Sequence, residues 1–377
     1  VLVFAALDGA TAIDLDGDLR VIGLQALVDP PRSGMQDAIA STHAAGVRVV
    51  MVTGDHPRTA HAIATAIGLP DGPAVTGAEL DATDDAELGA APVYARVTPE
   101  HKLRLVRALQ ARGEVVAVTG DGVNDAPALR QADIGVAMGR GGTAAAKEAA
   151  DMVLADDDFS TLRAAIEEGR RVYDNLVKAL AFVLPTSVGQ ALIIAVAVLA
   201  GMTELPVTPV QILWINLIVA VALALPLALE APEPDVMDRP PRDRAAPLLD
   251  RPLLVRTLAV SMTLTAVALG LFALARSRDL PLAQAQTTAV TGAVLLQALY
   301  LITCRSLTRP NRELGHFSNP AIYAGIGAVL ALQALFVYLP VLQTVFGSAA
   351  LGGRELLWAA AGAALVLPVT WVEERLR

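Results

Sequence analysis

One cysteine, Cys304, stands among 377 residues. That excludes an intrachain disulfide and any site built from several thiolate ligands, such as a zinc finger. Aromatic residues make up only 4%. A basic surplus is also lacking, since 29 Lys and Arg face 38 Asp and Glu, for a formal net charge of -9. A nucleic-acid binder normally shows a basic patch, so nucleic acid is not an expected partner. No secretory leader is visible, because Asp8, Asp14, Asp16 and Asp18 follow at once on the apolar residues 1–6. What is plentiful is Ala, Val and Leu. The chain is 54% hydrophobic with a mean hydropathy of +0.52, too apolar for a soluble protein of this length.

Charge divides the chain. Residues 1–179 hold 16 basic and 26 acidic side chains, whereas 180–377 hold 13 and 12. The division predicts a soluble acidic domain over 1–170 and a membrane domain over 171–377. Crossing hydrocarbon as a helix takes about 20 apolar residues. Six runs qualify, near 180–201, 207–229, 253–275, 287–304, 321–339 and 349–372. The fourth and sixth carry small or polar residues at their edges. A buried soluble bundle would not show runs this long separated by charged loops.

Arginine placement sets the expected orientation. With the first domain inside, the inner loops and tail hold Arg239, Arg242, Arg244, Arg251, Arg305, Arg309, Arg312, Arg375 and Arg377. The outer loops hold only Arg276, Arg278 and Arg354. The expectation is a multi-pass protein of the cell membrane, in contact with lipid, with its soluble domain and C-terminus cytoplasmic.

The first domain reads as alternating strand and helix, hence a doubly wound α/β fold. Apolar runs at 47–52 and 115–118 read as parallel strands buried on both faces. Helical spacing follows at 59–67 and 101–110, and 134–137 and 152–154 are further strand candidates. Both apolar runs end in Thr-Gly-Asp, at 53–55 and 119–121, and ligands of such folds sit at the carboxyl ends of the strands.

Phosphoryl transfer needs donors around the phosphoryl oxygens, a cation against the developing charge, and a metal ion. Thr53 at a strand end can hold a phosphate by its hydroxyl. Lys102, opening a helix after Thr98-Pro99-Glu100, can aim a charge into the same cleft. Asp121 and Asp125, one tight turn apart, can serve one magnesium ion, which takes oxygen ligands and keeps several waters. Asn124 can donate to the phosphoryl group. Each residue alone has a plainer reading, as a helix cap or a solvated charge. The run TGDGVNDAPAL at 119–129, preceded by a strand, does not arise by chance.

At these residues the chain resembles the P-type cation-transporting ATPases. The matching stretches are Asp29-Pro30-Pro31-Arg32, MVTGD at 51–55, RVTPEHK at 96–102 and TGDGVNDAPAL. In the membrane half they are QILWINL at 211–217, MDRPPR at 237–242 and CRS at 304–306. The resemblance implies a haloacid-dehalogenase-like phosphorylation domain followed by the last six of ten membrane helices, as in the type II pumps for hard cations. It implies ATP as substrate and Mg2+ as cofactor. Thr53 and Lys102 would bind the phosphoryl group and Asp121 would be a direct magnesium ligand. Asn124 and Asp125 would complete the phosphate and metal shell, and Gly54 and Asp55 would lie beside the nucleotide phosphates.

The family phosphorylates the aspartate of DKTGT, a string this sequence does not contain. The acidic stretch 14–18 sits ahead of an apparent hairpin and is no substitute. The expectation is therefore a C-terminal portion of a pump, inactive alone, whose partner is a segment with DKTGT and the first helices, in the same gene or a separate chain. For the transported cation the family draws ligands from the first two spans here. This chain offers Ser187, Gln190 and Asn216, with Ala220 where calcium pumps carry Asp. The six spans are read as free of Asp and Glu, which leaves neutral oxygens and a carbonyl freed by Pro185. Gln190 and Asn216 are equally readable as contacts joining helices, and Gln297 as such a contact. Two other readings stand beside the pump: a membrane-tethered phosphatase, and a non-catalytic regulator that only binds magnesium and phosphate.

Overall fold

The computed structural model describes residues 2–6, 20–25, 30–306, 315 and 318–376. Asp8, the stretch 14–18, Asp29, Arg309, Arg312 and Arg377 lie outside the described residues. The chain forms two compact units. One runs to Ala164 and takes in Met237–Pro240; the other holds Ala165–Val236 and the chain from Pro241 on.

The first unit opens with an antiparallel pair, β1 (Leu2–Ala6) and β2 (Arg20–Gln25). Next come α1 (Met35–Ala44), β3 (Met51–Val52), α2 (Pro57–Ala66), β4 (Ala74–Thr76), α3 (Gly77–Asp81), β5 (Val93–Ala95) and α4 (Pro99–Ala111). Then follow β6 (Ala117–Gly120), α5 (Ala126–Gln131), β7 (Ile134–Met138), α6 (Ala144–Ala149) and β8 (Met152–Leu154). Strands β3, β5 and β4 pair in parallel in that order, as do β6, β7 and β8.

Two strands are shorter or shifted relative to their apolar runs. The run at 47–52 pairs only over its last two residues, because the Val47 amide closes α1 by bonding the Thr42 carbonyl at 3.1 Å. The run at 115–118 starts pairing at Ala117, because the Val116 amide bonds the Asp133 carboxylate at 2.9 Å. The central strand β5 and the edge strand β4 escaped the sequence reading, since each follows a proline, Pro92 or Pro73, and neither is an unbroken run of large apolar residues as the equally short Met152–Leu154 is. Tyr94, Leu105, Leu109, Val116 and Ala128 form the main core, with Val52 and Val118 packed on it.

The second unit is helical. Helix α7 (Phe159–Leu199) is continuous over 41 residues and ends with the first expected span. Helix α8 (Pro209–Val219) passes into a π turn at Ala220–Ala224 and a 3-10 turn at Leu225–Leu229. Then follow α9 (Arg251–Arg276), α10 (Leu282–Thr303), α11 (Pro320–Tyr338), the short α12 (Pro340–Phe346), α13 (Gly353–Ala364) and α14 (Val366–Leu376). Among the described residues, six stretches are long and apolar enough to cross a membrane. The sixth begins at Gly353 rather than 349 and is two helices joined at Leu365.

Helix α10 explains its own polar composition. Its apolar stretch is 83% buried, whereas no other span exceeds 50%. It is the central helix, so its Thr and Gln side chains face protein. Leucines such as Leu199, Leu213 and Leu217 on α7 and α8 are exposed, as side chains meeting lipid would be.

Pro185 lies within α7 and lacks the N–H that would bond the carbonyl four residues back. That carbonyl, on Ala181, instead accepts the Tyr300 hydroxyl from α10. The Ser261 and Thr265 hydroxyls of α9 donate to the carbonyls of Pro185 at 2.9 Å and Gly189 at 3.2 Å. The carbonyl expected to be free for an ion is thus bonded to a neighbouring helix.

Candidate functional site

Three of the motifs meet at the strand ends of the first unit. After β3 the Thr53 hydroxyl accepts the Asp55 amide at 3.1 Å, which closes a tight turn over Gly54. The Val97 amide bonds the Thr53 carbonyl at 3.2 Å, and the Arg96 amide bonds the Asp55 carbonyl at 3.1 Å. These two bonds tie 51–55 to 96–102. Arg96, between them, adopts a left-handed φ of 51°, uncommon for a residue other than glycine. Thr98 caps α4, accepting the His101 amide at 3.4 Å, and the His101 ring accepts the Thr98 amide at 3.1 Å. The fixed first turn presents Lys102. His101 is therefore a cap, and its second ring nitrogen lies 3.0 Å from Asp81.

Lys102 joins the third motif. Its Nζ donates to Asp125 Oδ1 at 2.6 Å. The other oxygen, Oδ2, accepts the amides of Asp121 and Gly122, both at 3.2 Å. Gly120 is needed here, because a Cβ on it would stand 2.5 Å from the Asp125 Cβ. Burial pushes the Asp125 carboxyl up. The Lys102 hydrogen bond, the Gly122 and Asp121 amides and the Lys102 charge outweigh that, and the net position is below the ordinary carboxylate range. Asp121, Asn124, Gly54 and Asp55 are exposed, Thr53 and Lys102 are half-buried, and Asp125 is buried.

The arrangement fits magnesium in one way. Among the described residues no three acidic, His or Cys side chains converge. Asp121 presents an exposed carboxylate at the end of β6, while both oxygens of Asp125 are hydrogen-bonded. An ion bound largely through phosphate and water oxygens, with one or two carboxylates, matches this donor set.

One supporting residue lies outside the motifs. Asp157, buried with a φ of 60°, accepts the amides of Arg140 at 2.9 Å and Gly141 at 2.7 Å. The loop so held places the Thr143 amide 2.8 Å from the Asp121 carbonyl. Asp157, the middle member of the run Asp156-Asp157-Asp158, thus positions the loop behind Asp121.

The expected ion residues are dispersed in character. Gln190 is buried, whereas Ser187 on α7 and Asn216 on α8 are exposed. Gln297 is fully buried and bonds its own helix at the Ala293 carbonyl, so it does not join two helices. The spans are not free of acidic residues. Glu355 lies in the first turn of α13, 8% exposed, with its Oε1 3.2 Å from Arg354; the reading overlooked it among the polar edge residues of the sixth run. Trp214 is buried, donates to Gln333 at 3.2 Å and stacks on Phe336, so it is a core residue rather than an interfacial one.

Sequence reasoning also missed a set of buried ion pairs in the helical unit. Glu230 accepts Arg305 at 2.8 Å and Asn319 at 2.8 Å. Glu233 pairs with Lys178 at 3.0 Å and accepts the Ser306 hydroxyl at 3.3 Å. Arg256 lies 3.5 Å from Glu373 and donates to Tyr300 and Thr303. Arg256 falls inside the third expected span and the other charges outside the spans, and only packing reveals their burial.

Known proteins match both units. The family model described as cation transporting ATPase, C-terminus, covers residues 204–376. Models of haloacid dehalogenase-like hydrolases cover 3–133 and 102–166. The chain is 52% identical over 345 residues to the probable cation-transporting ATPase F of Mycobacterium tuberculosis, which spans 89% of this chain and 38% of that protein. It is 41% identical over 361 residues to the cation-transporting ATPase pma1 of Synechocystis, covering 92% and 39%. With the calcium-transporting ATPase 1 of Schizosaccharomyces pombe the identity is 40% over 365 residues, covering 93% and 40%. The chain thus spans about two fifths of the length of these relatives.

Proposed function

The chain belongs to the P-type cation-transporting ATPases and is an integral membrane protein, and from that premise we propose that it serves ATP-driven cation transport through an aspartyl-phosphate cycle. It supplies the phosphate- and magnesium-binding residues and six membrane spans. The observation that carries the reading is the Lys102–Asp125 contact at 2.6 Å, with Asp121 exposed beside it and the Thr53 turn tied to the same helix start.

In this reading the Thr53 hydroxyl, while accepting the Asp55 amide, donates its proton to a phosphoryl oxygen. The Lys102 ammonium offsets charge on the same group, and the exposed Asn124 amide gives a further donor. Gly54 and Asp55 flank the phosphates of ATP. Magnesium, when bound at Asp121 with Asp125 behind it, supplies charge neutralisation at the phosphoryl oxygens. The acceptor is an aspartate outside this sequence. The γ-phosphoryl group passes to its carboxylate oxygen as ADP leaves, and water later attacks the phosphorus, releasing inorganic phosphate and the free carboxylate. The partner segment that carries the acceptor belongs to the same polypeptide or to a second chain, and this chain alone does not hydrolyse ATP.

The cation path is assigned to neutral oxygens of Ser187, Gln190 and Asn216. The π turn at Ala220–Ala224 beside Asn216 supports this, because such turns leave backbone groups outside the regular ladder and recur at functional sites. The arginine asymmetry supports a cytoplasmic first unit and C-terminus in the cell membrane.

The test is phosphoenzyme formation. The chain is expressed in membranes alone and together with a segment carrying DKTGT and the first four helices, then given radiolabelled ATP and magnesium. An acid-stable, hydroxylamine-labile label only in the combined sample is expected. Label on this chain alone would mean that it carries its own nucleophile. No label in either, with both pieces folded and associated, would favour the non-catalytic regulator.

A further inference from the structure

A cleft of about 590 Å³ lies between the start of α9 and the middle of α14. Its walls are Val255 and Ala259 on one side and Val369 and Val372 on the other. Arg251 stands at its mouth, exposed, with no ion pair among the described residues. Glu373 also borders the cleft, but it is 6% exposed and faces Arg256 at 3.5 Å, so its charge is offset from behind. From Arg251 to Ala259 the helix rises on the order of 12 Å. The cleft is thus cationic at one end and apolar along its length. One turn further along α14, Arg375 lies 3.8 Å over the exposed Trp371 ring, an aromatic and a cation of the kind found at headgroup level.

We propose that this cleft binds one anionic glycerophospholipid, its phosphate on the Arg251 guanidinium and one acyl chain along Val255, Ala259, Val369 and Val372. The charge argument selects the occupant. A zwitterionic lipid would fill the same walls, but its own cation would offset its attraction to Arg251. The end of the spans richest in arginine is also the end where anionic lipid gathers under the positive-inside arrangement. Nothing in this site depends on the phosphoryl-transfer reading.

The test uses the full chain purified in non-ionic detergent, with native mass spectrometry to count bound lipid. Dioleoylphosphatidylglycerol and dioleoylphosphatidylcholine are added in equal amounts. One phosphatidylglycerol per chain is expected, with a preference of about fivefold, the worth of one interfacial cation. Arg251→Ala should abolish the preference and Arg251→Lys should keep most of it. Ala259→Trp, which fills the apolar floor, should remove the bound lipid of either kind. Arg278→Ala, beyond the other end of α9, should change nothing. Equal retention of the two lipids by the wild-type chain, or an Arg251→Ala preference unchanged, would overturn the proposal. So would displacement of the lipid by inorganic phosphate at matched concentration. A lipid-free dimer that Ala259→Trp makes monomeric would seat a second copy in the cleft instead, and would overturn it too.

Discussion

Lys102–Asp125 in the α/β unit and Arg305–Glu230 in the helical unit are the same kind of ion pair, at 2.6 and 2.8 Å, in opposite surroundings. The side chains of the first are 22% and 12% exposed, those of the second 3% and 1%. Water can reach the first pair and replace its partners when it opens. It cannot reach the second, where an unpaired ion would keep nearly its whole desolvation penalty. Glu233–Lys178 repeats the buried case at 2% on both sides. Glu230 and Glu233 thus fasten the segment after α8 to α7, to Arg305 and Ser306 after α10, and to Asn319 at the start of α11. The difference separates a contact that water can open from contacts that hold helices in place.

The strongest way to break this contrast is Glu230→Ala. It leaves the Arg305 cation buried without its carboxylate, and the expected loss is about 3–5 kcal/mol, read from denaturant unfolding of the chain in detergent. Glu230→Leu combined with Arg305→Met should cost far less, because neither ion is then stranded. A single-variant loss below about 1 kcal/mol, the range of exposed pairs, would show that water reaches Glu230 and that the two regions do not differ.

Tyr300→Phe comes next. It removes the hydroxyl that bonds the Ala181 carbonyl left open by Pro185, with an expected cost of about 1–3 kcal/mol. In a Pro185→Ala background the helix can bond that carbonyl itself, so the cost of Tyr300→Phe should fall by at least about 0.5 kcal/mol, the usual floor for coupled neighbours. An unchanged cost would mean that Tyr300 acts through Arg256 alone.

Legibility followed the same divide. The candidate residues could be named from TGDGVNDAPAL, MVTGD and RVTPEHK, and the structure brings three of them, Thr53, Lys102 and Asp125, to the linked strand ends of β3 and β6. What those strings do not encode is who holds whom. Asp125 takes Lys102 and two amides, and Arg96 turns left-handed to join two motifs. The spans were legible from length and hydropathy, since lipid demands both. The three-residue strands β4 and β5 were not, because they hold by pairing and core contacts rather than by pattern. Glu230 and Glu233 do lie outside the helices, after Leu229, and what their letters hid is the burial that packing against Arg305 and Lys178 brings, whereas Glu355 was overlooked inside the sixth run.

Lys102→Met sharpens the contrast from the other side. Asp125 keeps its two amide donors and gains water, so stability should fall by only about 1 kcal/mol. Affinity for inorganic phosphate with magnesium should fall about ten- to a hundredfold, the worth of a charge-assisted hydrogen bond, as measured by calorimetry. A large loss of stability with unchanged phosphate affinity would make Lys102 a structural pair like Arg305.

The smallest effect is the pH dependence of that contact. An unperturbed aspartate titrates near 3.9. Asp125 is displaced below that value, because the Lys102 bond and charge and the Gly122 and Asp121 amides overcome the opposing effect of burial. A carboxyl depressed on folding lends stability that is fully present above its unfolded value and disappears as pH falls through its folded value. The stability difference between the wild-type chain and Asp125→Asn should therefore stay constant from neutral pH down to about 5 and shrink only below about 4. Lys102→Met removes two of the lowering contributions and leaves burial, so the midpoint of that loss should move upward. A difference that already declines between pH 7 and 5 in the wild-type chain would mean that Asp125 is raised, and that Lys102 does not reach it in solution.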